Sequence, residues 1–131
     1  MGEIPRELQY SREHEWMRAL GEEVEVGITD YAAHALGDVV FVELPRVGAR
    51  LEQGKPFGVV ESVKSVSDLF APVSGEVTAI NQTLEASPEQ VNEAPYAAGW
   101  MVRIRPDQPP GAAAGLLTAD DYRAMLESGA H

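Results

Sequence analysis

Val59-Val60-Glu61-Ser62-Val63-Lys64-Ser65-Val66-Ser67-Asp68-Leu69-Phe70-Ala71-Pro72-Val73-Ser74-Gly75-Glu76-Val77 occupies the middle of the chain and contains one of its two lysines, the other being Lys55. Apolar residues crowd both sides of Lys64, with Phe57, Val59 and Val60 before it and Leu69, Phe70 and Val73 after it. This pattern predicts two strands meeting at a tight connection, with the lysine amine displayed at or beside its tip. The connection Val63-Lys64-Ser65-Val66 has no Gly, Pro or Asn, the residues that ordinarily form a hairpin turn. A requirement other than easy turn formation selects these residues: recognition by a modifying enzyme, or packing.

Outward from this stretch the chain reads as short strands joined by Gly and Pro turns. Residues 15–18 and 24–28 are strand-like on either side of a turn at Gly21-Glu22-Glu23. Thr29 or Asp30 can cap a short helix that runs through Tyr31 and Leu36 and stops at Gly37. Residues 38–44 form a further strand ending at Pro45, and Val47-Gly48 and Gln53-Gly54 mark turns. After the central hairpin, residues 75–80 alternate as a strand and Asn81-Gln82-Thr83 turns the chain. A short helix is expected over 88–92, with Ser87 capping and Pro88 at its first position, followed by a strand over 99–105. Residues 106–117 read as a linker to a C-terminal helix over 118–128, where Thr118-Ala119-Asp120-Asp121 resembles a capping box and Tyr122, Met125 and Leu126 make an apolar stripe. The whole is mainly β, a small antiparallel sandwich or barrel with short helices, in a single domain over 1–131 with an N-terminal extension at 1–9.

Composition narrows the function. With 21 acidic against 10 basic residues the net charge is −11, which repels nucleic acid and anionic lipid; it favours solubility or steering toward basic partners. No segment approaches the ~20 apolar residues that span a bilayer, and residues 1–10 carry no apolar run of a secretory signal. Met1-Gly2 does not make a myristoylation site, because Arg6 stands where Ser or Thr is wanted. A cytoplasmic protein is expected, and a mature form from the mitochondrial matrix would read the same. The absence of cysteine excludes disulfides, thiolate metal sites and a cysteine nucleophile. His14, His34 and His131 are dispersed, which argues against a metal site and gives His14 a structural hydrogen bond rather than chemistry.

Glu61-Ser62-Val63-Lys64 followed by Ala71-Pro72-Val73-Ser74-Gly75-Glu76-Val77 resembles the lipoyl-attachment hairpin of the glycine cleavage system H protein family. Four more segments resemble that family in the same order: Tyr10-Ser11-Arg12-Glu13-His14-Glu15-Trp16, Val26-Gly27-Ile28-Thr29-Asp30-Tyr31-Ala32, Leu36-Gly37-Asp38-Val39-Val40-Phe41-Val42-Glu43-Leu44-Pro45 and Asn92-Glu93-Ala94-Pro95-Tyr96-Ala97-Ala98-Gly99-Trp100-Met101. The stretch Pro109-Pro110-Gly111-Ala112-Ala113-Ala114 departs from the family. The resemblance implies a hybrid barrel-sandwich of two antiparallel sheets, with lipoate in amide linkage on Lys64 and Glu61, Ser62 and Val63 forming the recognition hairpin. It also implies a carrier without catalytic residues or metal. Such a carrier takes the aminomethyl group of glycine from the PLP-dependent glycine decarboxylase (P protein) to the aminomethyltransferase (T protein), and electrons to dihydrolipoyl dehydrogenase (L protein). A lipoate ligase or lipoyltransferase would load it, and a monomer with weak, transient interfaces is expected.

The residues allow other uses of Lys64 to be weighed. A Schiff-base nucleophile needs a lowered pKa, whereas the neighbouring Glu61 and Asp68 favour the ammonium. A biotin-accepting hairpin usually has Met on both sides of the lysine, where Val63 and Ser65 stand here. A lipoyl carrier for lipoate relay or another redox system stays open as an alternative, as does an unmodified binding domain. For the loaded arm, Glu15 and Asp68 are the candidate anionic contacts, because carboxylates pair with and shield a cation.

Overall fold

The structure is a computed structural model and describes residues 3–108 and 115–129. Its elements in chain order are β1 (Gln9–Tyr10), β2 (Glu15–Leu20), β3 (Glu23–Ile28), α1 (Asp30–Leu36), β4 (Val39–Glu43), β5 (Arg50–Leu51), β6 (Pro56–Ser62), β7 (Val66–Phe70), β8 (Gly75–Ile80), α2 (Thr83–Ala86), α3 (Gln90–Glu93), β9 (Val102–Pro106) and α4 (Ala119–Glu127). The strands form two antiparallel sheets, one of six strands in the order β1-β2-β3-β9-β8-β5 and one of three in the order β4-β6-β7.

Alternation along the strands puts Val24, Val26, Val77, Val102 and Ile104 from the larger sheet into one core with Val42, Val60 and Leu69 from the smaller. Each such side chain removed from water contributes roughly 1.5–3 kcal/mol. The opposite side of the larger sheet carries a cross-strand charge row, since Arg18 pairs in register with Glu25 and Glu25 with Arg103. Both guanidiniums bond the Glu25 carboxylate, at 2.8 and 3.0 Å, and each also covers an indole, Arg18 over Trp16 and Arg103 over Trp100.

A second core holds the chain ends. Residues 3–9, expected as an N-terminal extension, pack there through buried Ile4 and Leu8, and Tyr10 stacks on Tyr122 of α4 with ring centroids 4.8 Å apart. Leu117 pairs with Tyr10 through two backbone bonds, which delivers the chain to α4; residues 109–114 of the expected linker lie outside the described residues. Thr118 caps α4 by accepting from the Asp121 amide, and Thr29 caps α1 by accepting from that of Ala32.

Two local expectations require correction. Thr83, read as the end of a turn, opens α2, and Ser87 does not cap the next helix with its side chain. Ser87 is instead the C-cap of α2, its amide bonded to the Thr83 carbonyl, so α3 begins only at Gln90. The last strand likewise starts at Val102, because Ala97 and Trp100 lie in turns that close onto the end of α3.

Candidate functional site

Lys64 lies in the three-residue connection between β6 and β7, exposed to solvent beside Val63, which is 76% exposed. The connection closes with the Ser62 amide donating to the Ser65 carbonyl at 2.7 Å. None of its residues adopts a left-handed backbone, which explains how it dispenses with Gly and Asn. Its hold comes from elsewhere: the Val63 amide donates to the Asp38 carbonyl, at 3.0 Å, in the junction between α1 and β4. The lysine stem lies over Gly37 of that junction, where an added Cβ would stand 3.3 Å from the Lys64 Cε. Glu61 pairs with Phe41 on one side and Val66 on the other, and Ser62 is buried against the turn. Among the described residues no carboxylate forms an ion pair with the Lys64 ammonium.

Beside the hairpin opens a cleft of about 340 Å³, room for on the order of ten waters at ~30 Å³ each. One wall is α1, through Tyr31, Ala32 and Leu36; the other is the end of the hairpin connection and the start of β7, through Ser65, Val66 and Asp68. Glu15 lies at its floor. The structure therefore brings Glu15 and Asp68 to one cleft but in different settings, for Asp68 is exposed and Glu15 is only 2% exposed.

Glu15 opens β2 and reaches across to the other sheet. One carboxyl oxygen accepts from the Ser11 hydroxyl and the other from the Phe70 amide at the end of β7, at 2.5 and 3.1 Å. Burial outweighs both bonds and pushes its pKa from the ordinary 4.5 up to about 8. Burial therefore favours the protonated acid at neutral pH.

For two site residues the structure adds what the sequence left unassigned. His14 has a left-handed φ of 74° and lines the cleft next to Glu15. Its Nδ1 lies 2.7 Å from the Tyr122 hydroxyl, in keeping with the structural hydrogen bond expected of it. Asn92 belonged to a segment of resemblance without an assigned role; its side chain joins α3 to the junction under Lys64.

The chain is similar to known proteins over nearly its whole length. The model of the family described as "Glycine cleavage H-protein" matches residues 8–129. The chain belongs to that family. It is 55% identical over 127 residues to the glycine cleavage system H protein of Rubrobacter xylanophilus, covering 97% of this chain and 98% of the relative. To that of Mycobacterium sp. (strain KMS) it is 57% identical over 129 residues, covering 96% and 98%. The crystal structure of a glycine cleavage system H protein from Mycobacterium marinum superposes with a TM-score of 0.84 at 40% identity, covering 96% of this chain and 99% of the other. Membership of the H-protein family makes the chain a carrier component of glycine cleavage, with lipoate the cofactor that the family implies. It also identifies the two-sheet architecture as the barrel-sandwich of lipoyl domains.

Proposed function

We propose that Lys64 is the lipoate attachment site and that the loaded arm folds into the cleft floored by Glu15. The observation that carries this reading is the position of an exposed amine at a hairpin tip directly beside an open cleft with an apolar α1 wall and a single buried acid. The residues fit the group, since Ala32, Leu36 and Val60 can cover an aliphatic chain and a dithiolane while Glu15 faces a polar end. Lys55, the other lysine, stands before β6 at the far end of the hairpin from Lys64.

When bound, lipoate supplies a disulfide that accepts the one-carbon group of glycine together with the electron pair of its oxidation. The chain's own residues do the rest by holding and shielding. Glu15 releases its proton to solvent through the open cleft and faces an ammonium as a carboxylate, Asp68 offers a second carboxylate at the rim, and the α1 wall covers the bound group. Tethering on one arm raises the effective concentration of the group at each enzyme it visits. In this reading the protein is a non-catalytic shuttle among glycine decarboxylase, aminomethyltransferase and dihydrolipoyl dehydrogenase, loaded by a lipoate ligase and working in the cytoplasm. Among the described residues no helix is long and apolar enough to cross a membrane.

The test is the intact mass, with peptide mapping, of protein produced with a lipoate ligase and free lipoate, beside Lys64→Arg. One lipoyl amide that maps to Lys64 and is missing from the variant is expected. A folded protein that gains no mass, or gains it at Lys55, would remove the reading. Glycine–bicarbonate exchange with the decarboxylase then separates glycine cleavage from lipoate relay, which requires no such activity.

A further inference from the structure

The attachment hairpin closes through the bond from the Ser62 amide to the Ser65 carbonyl, and the Val63 amide ties it to the carbonyl of Asp38 in the junction between α1 and β4. The backbone on both sides of Asp38 is held by one side chain. Asn92, on α3, accepts from the Val39 amide at 2.9 Å through Oδ1 and donates to the Gly37 carbonyl at 2.8 Å through Nδ2. The same Nδ2 lies 3.3 Å from the Ala33 carbonyl. The side chain thus spans the residues before and after Asp38 and uses donor and acceptor together, which a carboxylate cannot reproduce.

We infer that Asn92 is a positioning residue for Lys64: it sets the Asp38 carbonyl that receives Val63, and with it the Gly37 seat on which the lysine stem lies. The chain of contacts is continuous, from Asn92 to Gly37 and Val39, from Asp38 to Val63, and from Gly37 to the Lys64 stem. The inference rests on Lys64 being the attachment site. Its purpose follows from the exposure of the connection: the Ser62–Ser65 bond closes the turn, and the Val63–Asp38 bond fixes the turn, with its lysine, against the rest of the protein. The end of α3 that carries Asn92 is itself packed tightly by Gly99, where an added Cβ would be 2.7 Å from the Gln90 carbonyl and 2.8 Å from that of Ala94.

If only a fraction of hairpins is correctly oriented, the apparent affinity of a loading enzyme falls by that fraction while turnover of the bound form is unchanged. The experiment is lipoyl transfer by a ligase to the full chain at varied carrier concentration, read by intact mass. The parent is compared with Asn92→Ala, Asn92→Asp and Met125→Ala, the last destabilising the second core away from the hairpin. Amide exchange of Val63 is followed in parallel. Both Asn92 variants are expected to raise KM about fivefold at unchanged kcat, as for a hairpin seated about a fifth of the time. They should also speed Val63 exchange, while Met125→Ala does neither. Folded Asn92 variants with parental KM and Val63 exchange, or a Met125→Ala effect of the same size, would overturn the inference. Should Asn92→Ala fail to fold, Asn92→Asp decides, since it keeps the size and the acceptor and loses the donor to Gly37. A parent that takes no lipoyl group would overturn the attachment site itself and with it the purpose assigned to Asn92. Faster Val63 exchange with parental KM would leave Asn92 holding the turn but overturn its part in loading.

Discussion

The phenolic oxygen of Tyr122 lies 2.7 Å from Nδ1 of His14 and 2.8 Å from the hydroxyl of Thr29, so a single residue of α4 ties the cleft wall to the cap of α1. Burial holds the Tyr122 phenol well above its ordinary pKa, which keeps the hydroxyl as a neutral donor and acceptor. Tyr122→Phe removes that oxygen and leaves the Thr29 hydroxyl and the His14 ring each one partner short. A loss of about 1–3 kcal/mol in unfolding free energy is expected by denaturant titration. A change within error would mean that α4 is held by apolar contact alone.

Glu15 makes stability depend on pH in the direction opposite to an ordinary surface carboxylate. Its pKa is about 8 in the folded protein against an ordinary 4.5, so the folded state keeps a proton that the unfolded chain has released between those values. The stabilisation is complete below pH 4.5 and is lost as pH rises toward and through 8. Glu15→Gln keeps the shape, and its amide can donate to Ser11 while its oxygen accepts from Phe70. The variant should therefore gain on the parent as pH rises, by on the order of a few kcal/mol at pH 9. Parallel stability curves from pH 5 to 9 would show that the carboxyl is not protonated in the fold.

Retention of the glycine-derived one-carbon group separates the two carboxyls at the cleft. A buried, charge-assisted contact is worth roughly 1.5–3 kcal/mol and an exposed pair about 0–1 kcal/mol. Glu15→Gln should accordingly shorten the lifetime of the loaded carrier about tenfold or more, and Asp68→Asn about twofold. Parental lifetimes in both variants would end the shielding role given to them.

Gly99 tests how tightly α3 must pack. An added Cβ would overlap two backbone carbonyls, and backbone cannot give way as a flexible side chain does. Gly99→Ala should lower unfolding free energy by about 1–3 kcal/mol. It should also speed exchange of the Val39 amide, which depends on Asn92. Unchanged exchange would mean that α3 reseats without moving Asn92.

Most of the strands, both capped helices and the lysine at the hairpin tip were legible in the sequence, because alternation, Thr29, Thr118 and the crowding of valines around Lys64 act over a few residues. The same local reasoning failed at Ser87. A serine before a proline looks like an N-cap, but its backbone was already committed to ending α2.

The sequence by itself determined the family, the β-rich class, the acidic character and the single amine at the tip, each a property of composition or short-range pattern. Only the tertiary structure decided that Glu15 is a buried acid. Its burial depends on Ser11 and on β7, which closes over it from the other sheet. Tertiary structure likewise placed Asn92 under Lys64, 28 positions away by number, because hydrogen bonds to the Gly37 carbonyl and the Val39 amide exist only once α1, β4 and α3 have packed together. Desolvation and long-range bonding belong to the folded surroundings of a residue, and no pattern of its neighbours in sequence encodes them.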